Sequence, residues 1–360
     1  MKAVDIREGF AQARQRGLRA REAAQAIGVS EGAAVAAHTG VHERAMRAVP
    51  LKPDWLALLQ ALEPCGPLLA LTRNQSTVHE KTGVYQKLSA QGPVGLALGE
   101  DIDLRLFFGH WHAGFAVSEA KHGATPDAMQ TSLQFYDRQG TAVHKVYPRP
   151  ATDLMAWEQL INRAIDPARE AAFDPPTPKG RPETAPLADA QAFLDDWAGM
   201  TDIHQFFGLL RRHGLDRQQA IALARGRFTR PVATTAVRQL LQGAAIDGTP
   251  IMVFVGSPGC IQIHTGPVHR IEPMEVHGKT WLNVLDPGFN LHLREDLIAS
   301  AWIVEKPGDH GTVTSLEIFD ADGELMAMFF GARKPGQPEL RSWRELLAPL
   351  REAEAKTVPA

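Results

Sequence analysis

The stretch "MTDIHQFFGLLRRHGLDRQQA" (Met200 to Ala220) places a histidine, His204, where an amphipathic helix begins, and Arg217 where a second helix opens. The pattern Ile203, Phe206, Phe207 and Leu210 has helical spacing and predicts a core-facing stripe with His204 at its edge. An imidazole there can point into a groove as a ligand, or it can be a polar edge residue bonded to a neighbour. Metal spacing does not decide between these, because no His-x-x-His or His-x-x-x-His pair offers convincing zinc geometry on a helix. "GHWHAGF" sets His110 and His112 two apart, which on a strand would put both on one face, but no third ligand is local. The histidines of "HTGPVH" and "HGK" read as loop or surface groups. The chain carries no Walker loop, no G-x-S-x-G and no G-x-G-x-x-G.

Other groups point the same way as His204. Phe206, Phe207, Phe329 and Phe330 lie in the segments around it. Basic residues sit inside strand-like runs: Arg105 in "DIDLRLFF", Lys306 in "WIVEKPGD" and Arg333 at the end of "MAMFFGAR". A cation on an apolar strand must snorkel, pair, or find an anion. Aromatics, one imidazole and several cations suit haem, whose ring is apolar, whose iron takes an imidazole and whose propionates take Arg or Lys. For each cation taken singly, a solvated edge or an ordinary ion pair is the competing reading.

The elements that must position these groups come in two sets. "DPAREAAFDPPTPKGRPETAPLADA" (166–190) is too rich in proline for a helix or central strand and reads as a linker. It separates an N-terminal half, 1–165, from a C-terminal half, 191–350. "VDIREGFAQARQRGLRAREAA" aligns without a gap with "TDIHQFFGLLRRHGLDRQQAI", and "TSLQFYDRQGTAVHKVYPR" with "TSLEIFDADGELMAMFFGAR". Two further blocks match in the same order, so the chain reads as an internal duplication. Each half predicts two helices split by a glycine (Gly17, Gly214), a third helix, then strands joined by turns such as Asp-x-x-Gly. The expected class is α+β with a large antiparallel sheet in each half and a cleft between the halves. Copies can diverge where only one has a function of its own, and here Arg7 stands opposite His204, and Arg105 opposite His292.

The 360 residues carry a formal charge of −3, which gives no support to a nucleic-acid partner. No apolar run is long enough to span a membrane. The charged start, "MKAVDIREGFAQARQRG", lacks the core of a signal peptide, and the two cysteines, Cys65 and Cys260, are in unrelated contexts. A cytoplasmic protein is expected.

The stretches "DIDLRLFFGHW", "TDIHQFFGLLRRHGLDRQQA", "IMVFVGSPGCIQIHTGPV", "WLNVLDPGFNLHLREDLI" and "KPGDHGTVTSLEIFDADGELMAMFFGAR" resemble the cytoplasmic hemin-transport or hemin-degrading proteins of Gram-negative haem uptake. The resemblance runs through nearly the whole chain. It implies a duplicated fold with haem b in the cleft between halves and His204 as the proximal iron ligand. It implies Arg105 as the distal and candidate catalytic residue, with Arg217, Lys306 and Arg333 toward the propionates. Some members have a tyrosine where this chain has Phe330, so a phenolic hydrogen bond is missing here. The implied function is capture of imported haem and its delivery to a haem oxygenase or at a haem importer. The alternative is oxidative degradation of haem by the protein itself. A haem-independent regulatory or nucleic-acid-binding role is the third reading, and the acidic balance argues against it.

Overall fold

The computed structural model describes residues 1–120, 128–175, 189–276, 278–333 and 336–352. The chain divides into two units, one of residues 1–73, 79–178 and 256–262, the other of 74–78, 179–255 and 263–360.

The first unit opens with helices α1 (Ala3–Gln15), α2 (Ala20–Ala26) and α3 (Glu31–Ala36), followed by β1 (Arg47–Pro50) and α4 (Trp55–Gln60). Strands β2 (Leu68–Arg73), β3 (Thr77–Gly83), β4 (Leu88–Gln91), β5 (Val94–Leu98) and β6 (Asp103–Phe107) come next. Then follow β7 (Ala113–Ala120), β8 (Met129–Tyr136), β9 (Ala142–Pro148) and helix α5 (Leu154–Ala164). The strand order is β1-β7-β8-β9-β2-β3, with β4-β5-β6 as a separate antiparallel run.

The second unit repeats this plan. Helices α6 (Ala190–Ala198), α7 (Gln205–His213) and α8 (Arg217–Leu223) lead to β10 (Thr229–Val232) and α9 (Ala236–Asp247). Strands β11 (Ile251–Gly256), β12 (Cys260–Gly266), β13 (Ile271–Val276), β14 (Lys279–Asp286) and β15 (Phe289–Arg294) follow. The unit closes with β16 (Ser300–Lys306), β17 (Val313–Phe319), β18 (Leu325–Gly331) and α10 (Arg341–Leu347). The order β10-β16-β17-β18-β11-β12 and the run β13-β14-β15 reproduce those of the first unit. The class is α+β, with a large antiparallel sheet in each unit.

The duplication extends to register. Leu133 faces Val146 across β8 and β9, and Leu316 faces Phe329 across β17 and β18. Both pairs of strands slip at the same place, between Phe135 and Tyr136 and between Ile318 and Phe319. A bulge repeated at one position is a built feature of the fold. Both Asp-x-x-Gly turns close as expected, with Gly140 N–H donating to Asp137 O at 3.0 Å and Gly323 N–H to Asp320 O at 3.1 Å. Both glycines have positive φ (78° and 81°), which a side chain would strain.

The register gives residue-by-residue equivalence. Gln134 corresponds to Glu317, Lys145 to Met328, His144 to Ala327 and Tyr147 to Phe330. Arg105 and His292 each lie two residues before the end of their strand, ahead of the short 3-10 turns at Phe108–His110 and Glu295–Leu297. Among the described residues two helices have no counterpart in the other unit: α6, which precedes α7, and α3. The link from α2 to β1 spans 27–46 and contains α3, whereas the link from α8 to β10 spans only 224–228.

That insertion changes what covers the sheet. In the second unit Phe206, Leu209, Leu210 and Ile221 pack directly against Val304 and Phe319 of the strands. In the first unit Ile6, Phe10 and Ala23 pack on Ala34 and Ala37, while Val35 meets Phe115, Val117 and Tyr136. Helix α3 therefore lies between the helix pair and the sheet. Its approach needs Gly32, where a Cβ would fall 2.8 Å from Gly140 Cα. The other face of each sheet is an apolar core, under α4 and α5 in one unit and α9 and α10 in the other.

Of the linker, residues 176–188 lie outside the described structure. Its first part is anchored: Asp174 N–H donates to Arg138 O at 2.9 Å, and the Phe173 ring meets those of Phe115 and Tyr136.

Candidate functional site

Two short helices with well-defined ends position the site. Gly214 in the left-handed conformation ends α7, and Asp216 caps α8 in a reciprocal box with Gln219 (2.8 and 3.1 Å). His204 is the N-cap residue of α7, and its side chain is 84% exposed. Its Nδ1 lies 2.6 Å from Asp202 Oδ1, and its backbone N–H donates to the same oxygen at 2.8 Å. A carboxylate on Nδ1 selects the tautomer with the proton there, which leaves the Nε2 lone pair free for a metal and fixes the ring. The backbone bond from His204 is the main reason that the Asp202 carboxyl stays below its usual range, and the Arg333 charge adds to it.

The buried stripe of α7 is Phe206, Leu209 and Leu210. This corrects the expectation for Phe207, which is 73% exposed. Stripes beginning at Ile203 and at Phe206 both have helical spacing, and the sheet beneath selects the one that Leu209 completes. Phe207 and Arg211 therefore share the exposed side of the helix with His204. Phe329 is also corrected: it points to the opposite sheet face, into the core under α9 and α10, while Phe330 faces the helix pair.

Beneath α7 and α8 lies a buried charge cluster. Glu317, fully buried on β17, accepts from Arg217 Nε at 2.6 Å and Nη2 at 3.0 Å, and from Lys306 Nζ at 2.7 Å. Ser315 Oγ donates to the same carboxylate at 2.9 Å. The Lys306 ammonium stands 4.9 Å from the centre of the Phe206 ring and 5.9 Å from that of Phe330. Arg217 lies over Phe206 at 5.2 Å. The phenyl faces give the cations a favourable apolar seat. Arg217 and Lys306 hold the Glu317 carboxyl far below its usual value, against the cost of burial. Burial pulls Lys306 down to about 8, against the attraction of Glu317. Phe330 makes an edge contact with Phe254 at 5.1 Å.

The structure thus brings Arg217, Lys306 and Phe330 together around one carboxylate. Arg333, half-buried just beyond β18, acts electrostatically on Asp202. Arg105 is on β6 and pairs with Asp103. Sequence reasoning missed Asp202 and Glu317. Both carried a signal: an Asp-x-His spacing, and a lone acid inside the apolar alternation of "TSLEIF".

The other histidines that the sequence singled out are placed differently. His110 ends a 3-10 turn, and His112 Nε2 lies 2.7 Å from Ala172 O, so they do not form the strand-face pair that their spacing allowed. His264 is buried on β12 and stacked on Phe289 at 3.8 Å, not in a loop. His277 lies outside the described residues. His292 Nδ1 is bonded to Asn283 Oδ1 at 2.7 Å. Among the described residues no group of three or more His, Cys, Asp or Glu side chains is placed to hold a metal ion. An iron centre here would need its other ligands from a cofactor, and a porphyrin provides them. The exposed His204 imidazole with Nδ1 held and Nε2 open, an exposed phenyl group on the same helix side and a net positive cluster fit such a group.

Fold and site define a class: a duplicated α+β protein whose second repeat carries both a carboxylate-held imidazole and a cluster of cations. The chain belongs to the family of the haemin-degrading HemS/ChuX domain, whose model matches residues 28–164 and again 214–350. The hemin transport protein HmuS of Yersinia pestis is 42% identical over 343 residues, covering 94% of this chain and 95% of its own. Among solved structures, the haem-binding protein PhuS of Pseudomonas aeruginosa in its holo form is 43% identical. It superposes with a TM-score of 0.88 over 98% of this chain and all of the other (100%). ChuS, described as an Escherichia coli haem oxygenase, is 36% identical with a TM-score of 0.83, covering 96% and 99% of the two chains.

Proposed function

We propose that this protein binds haem b through His204 and serves haem uptake as a carrier that takes up imported haem and passes it on for iron release. The observation that carries the reading is the exposed His204 imidazole, held by Asp202 at Nδ1 so that Nε2 is free, in the same unit as Arg217, Lys306 and Arg333. Haem would supply the iron and a redox-active ring. The chain's own part is to present Nε2, to offer cations to the carboxylates and to leave Phe207 exposed beside the ligand. The receiving partner would be a haem oxygenase or a haem importer. Both cysteines are free and buried, which fits a cytoplasmic site of action. No helix among the described residues is long and apolar enough to cross a membrane.

Hemin titration tests this. The parent should develop a Soret band, and His204→Ala should shift it and weaken binding without abolishing it, because the cations and apolar contacts remain. Identical spectra and affinity in both proteins would refute the ligand assignment.

Oxidative haem degradation by the protein itself is the second reading, favoured by the likeness to a protein described as a haem oxygenase. Anaerobic hemin loading, followed by reductant and air with product analysis, separates the two. Recovery of intact haem would leave only the carrier role.

A further inference from the structure

Glu317 is the least exposed member of the cluster and the one that all the others touch. Its position is not demanded by the fold, since the first unit has the neutral Gln134 there. The first unit likewise has Ala20 in place of Arg217 and Glu119 in place of Lys306. The trio belongs to the second repeat alone.

The geometry around Arg217 is specific. A guanidinium carries five N–H groups in a rigid plane. The Nε–Nη2 edge is spent on the two oxygens of Glu317, at 2.6 and 3.0 Å. Nη2 also lies 3.2 Å from Met328 Sδ. Among the described residues Nη1 has no hydrogen-bond partner, and the Arg217 side chain keeps 26% of its surface exposed, against 0% for Glu317. Lys306, 3% exposed, is turned to Glu317 and Ser315 (3.4 Å). Two cations and one carboxylate leave the buried cluster with a net positive charge, which one further carboxylate would balance.

We propose that Glu317 is a positioning residue for anion recognition: it clamps Arg217 by one edge so that Nη1 is presented to a carboxylate of the ligand. Lys306 acts in this arrangement by holding Glu317 ionised and in place. The proposal rests on the haem reading above and adds to the cation–carboxylate contacts of that reading the residue that orients one of the cations.

The test compares hemin with hemin dimethyl ester, which has the same ring and iron but no carboxylate charge. Glu317→Gln keeps the shape and an acceptor while removing the charge. Arg217→Lys keeps the charge but cannot be clamped by an edge, and it leaves Glu317 paired should Glu317→Gln fold poorly. Each variant should bind hemin about tenfold more weakly than the parent, the scale of one charge-assisted contact, and the ester within about twofold of the parent. Combining the two changes should cost no more than Arg217→Lys alone. Equal weakening for both ligands would mean a purely structural ion pair and would overturn the proposal. So would hemin binding by Arg217→Lys that matches the parent. A parent that binds neither ligand would sink the haem reading and this proposal together. A parent with a His204-dependent Soret band and variants that behave like it would sink this proposal only.

Discussion

The two repeats treat the same sheet face in opposite ways. Each buries one carboxylate between two cations, but the parts come from different places. In the second unit Glu317 is on the sheet and Arg217 comes from the helix above. In the first, Glu31 comes from the inserted helix α3 and meets Arg73 and Lys145 (2.7 Å) on the sheet. Arg7, which stands where the other repeat has His204, donates to Ala37 O at the end of α3 at 2.7 Å. The inserted helix therefore occupies both positions that, on the proposed reading, the second repeat offers to a ligand: it engages the residue at the imidazole position and supplies its own carboxylate to the cations. A duplicated fold can dedicate one copy to binding by covering the same face in the other.

Removing the inserted carboxylate should break the comparison most severely. Glu31→Ala leaves Arg73 and Lys145 buried with no counter-charge, a loss of about 3–5 kcal/mol. Denaturant titration should show that loss, while hemin affinity, read at a denaturant concentration where the variant is still folded, stays at the parent value. A parallel collapse of hemin binding would show that the repeats are not functionally separate.

Acid should also distinguish the repeats. In the first unit His144 is buried between Tyr85 OH (2.7 Å) and Thr72 Oγ1 (2.9 Å), and burial lowers it to about 3. The second unit has Ala327 there. Below about pH 6.5 the unfolded chain takes up a proton that the folded chain refuses, so stability falls as pH drops from there toward about 3. One such group costs on the order of a few kcal/mol over that window. His144→Gln should flatten the acid limb of a stability–pH curve, and an unchanged limb would count against His144.

Arg105→Ala should leave folding intact, because the second repeat has His292 at that place. If Arg105 serves the ligand, the ferric spin state and the acid–alkaline transition of the hemin-loaded protein should change. Superimposable titrations would place Arg105 elsewhere.

The smallest change carries the first repeat's residue into the second. Phe330→Tyr reproduces Tyr147 and gives the face above Lys306 a phenol that can donate to the ligand's distal water or to one of its carboxylates. One new hydrogen bond is worth about 0.5–1.5 kcal/mol, so hemin should bind roughly two- to tenfold more tightly and dissociate more slowly. An unchanged dissociation rate would put Phe330 outside the ligand's reach.

Local pattern determined much of this molecule. Helix ends at Gly214 and Asp216, hairpin turns at Asp137 and Asp320, and the duplication are written in short-range chemistry: φ preference, capping oxygens and alternation. The exposed histidine at the start of α7 was legible for the same reason. What only the tertiary structure decided is which of two overlapping stripes is buried, and hence that Phe207 is exposed and Leu209 is not. It also decided that Phe329 and Phe330 serve different faces, and that α3 wedges between helices and sheet in one repeat only. The charge pairs followed from the same packing. Glu31 and Arg73 are 42 residues apart, and Arg217 and Glu317 are 100 apart. Which acid meets which cation across such distances depends on what the sheet register and helix packing bring together, and no local preference encodes it.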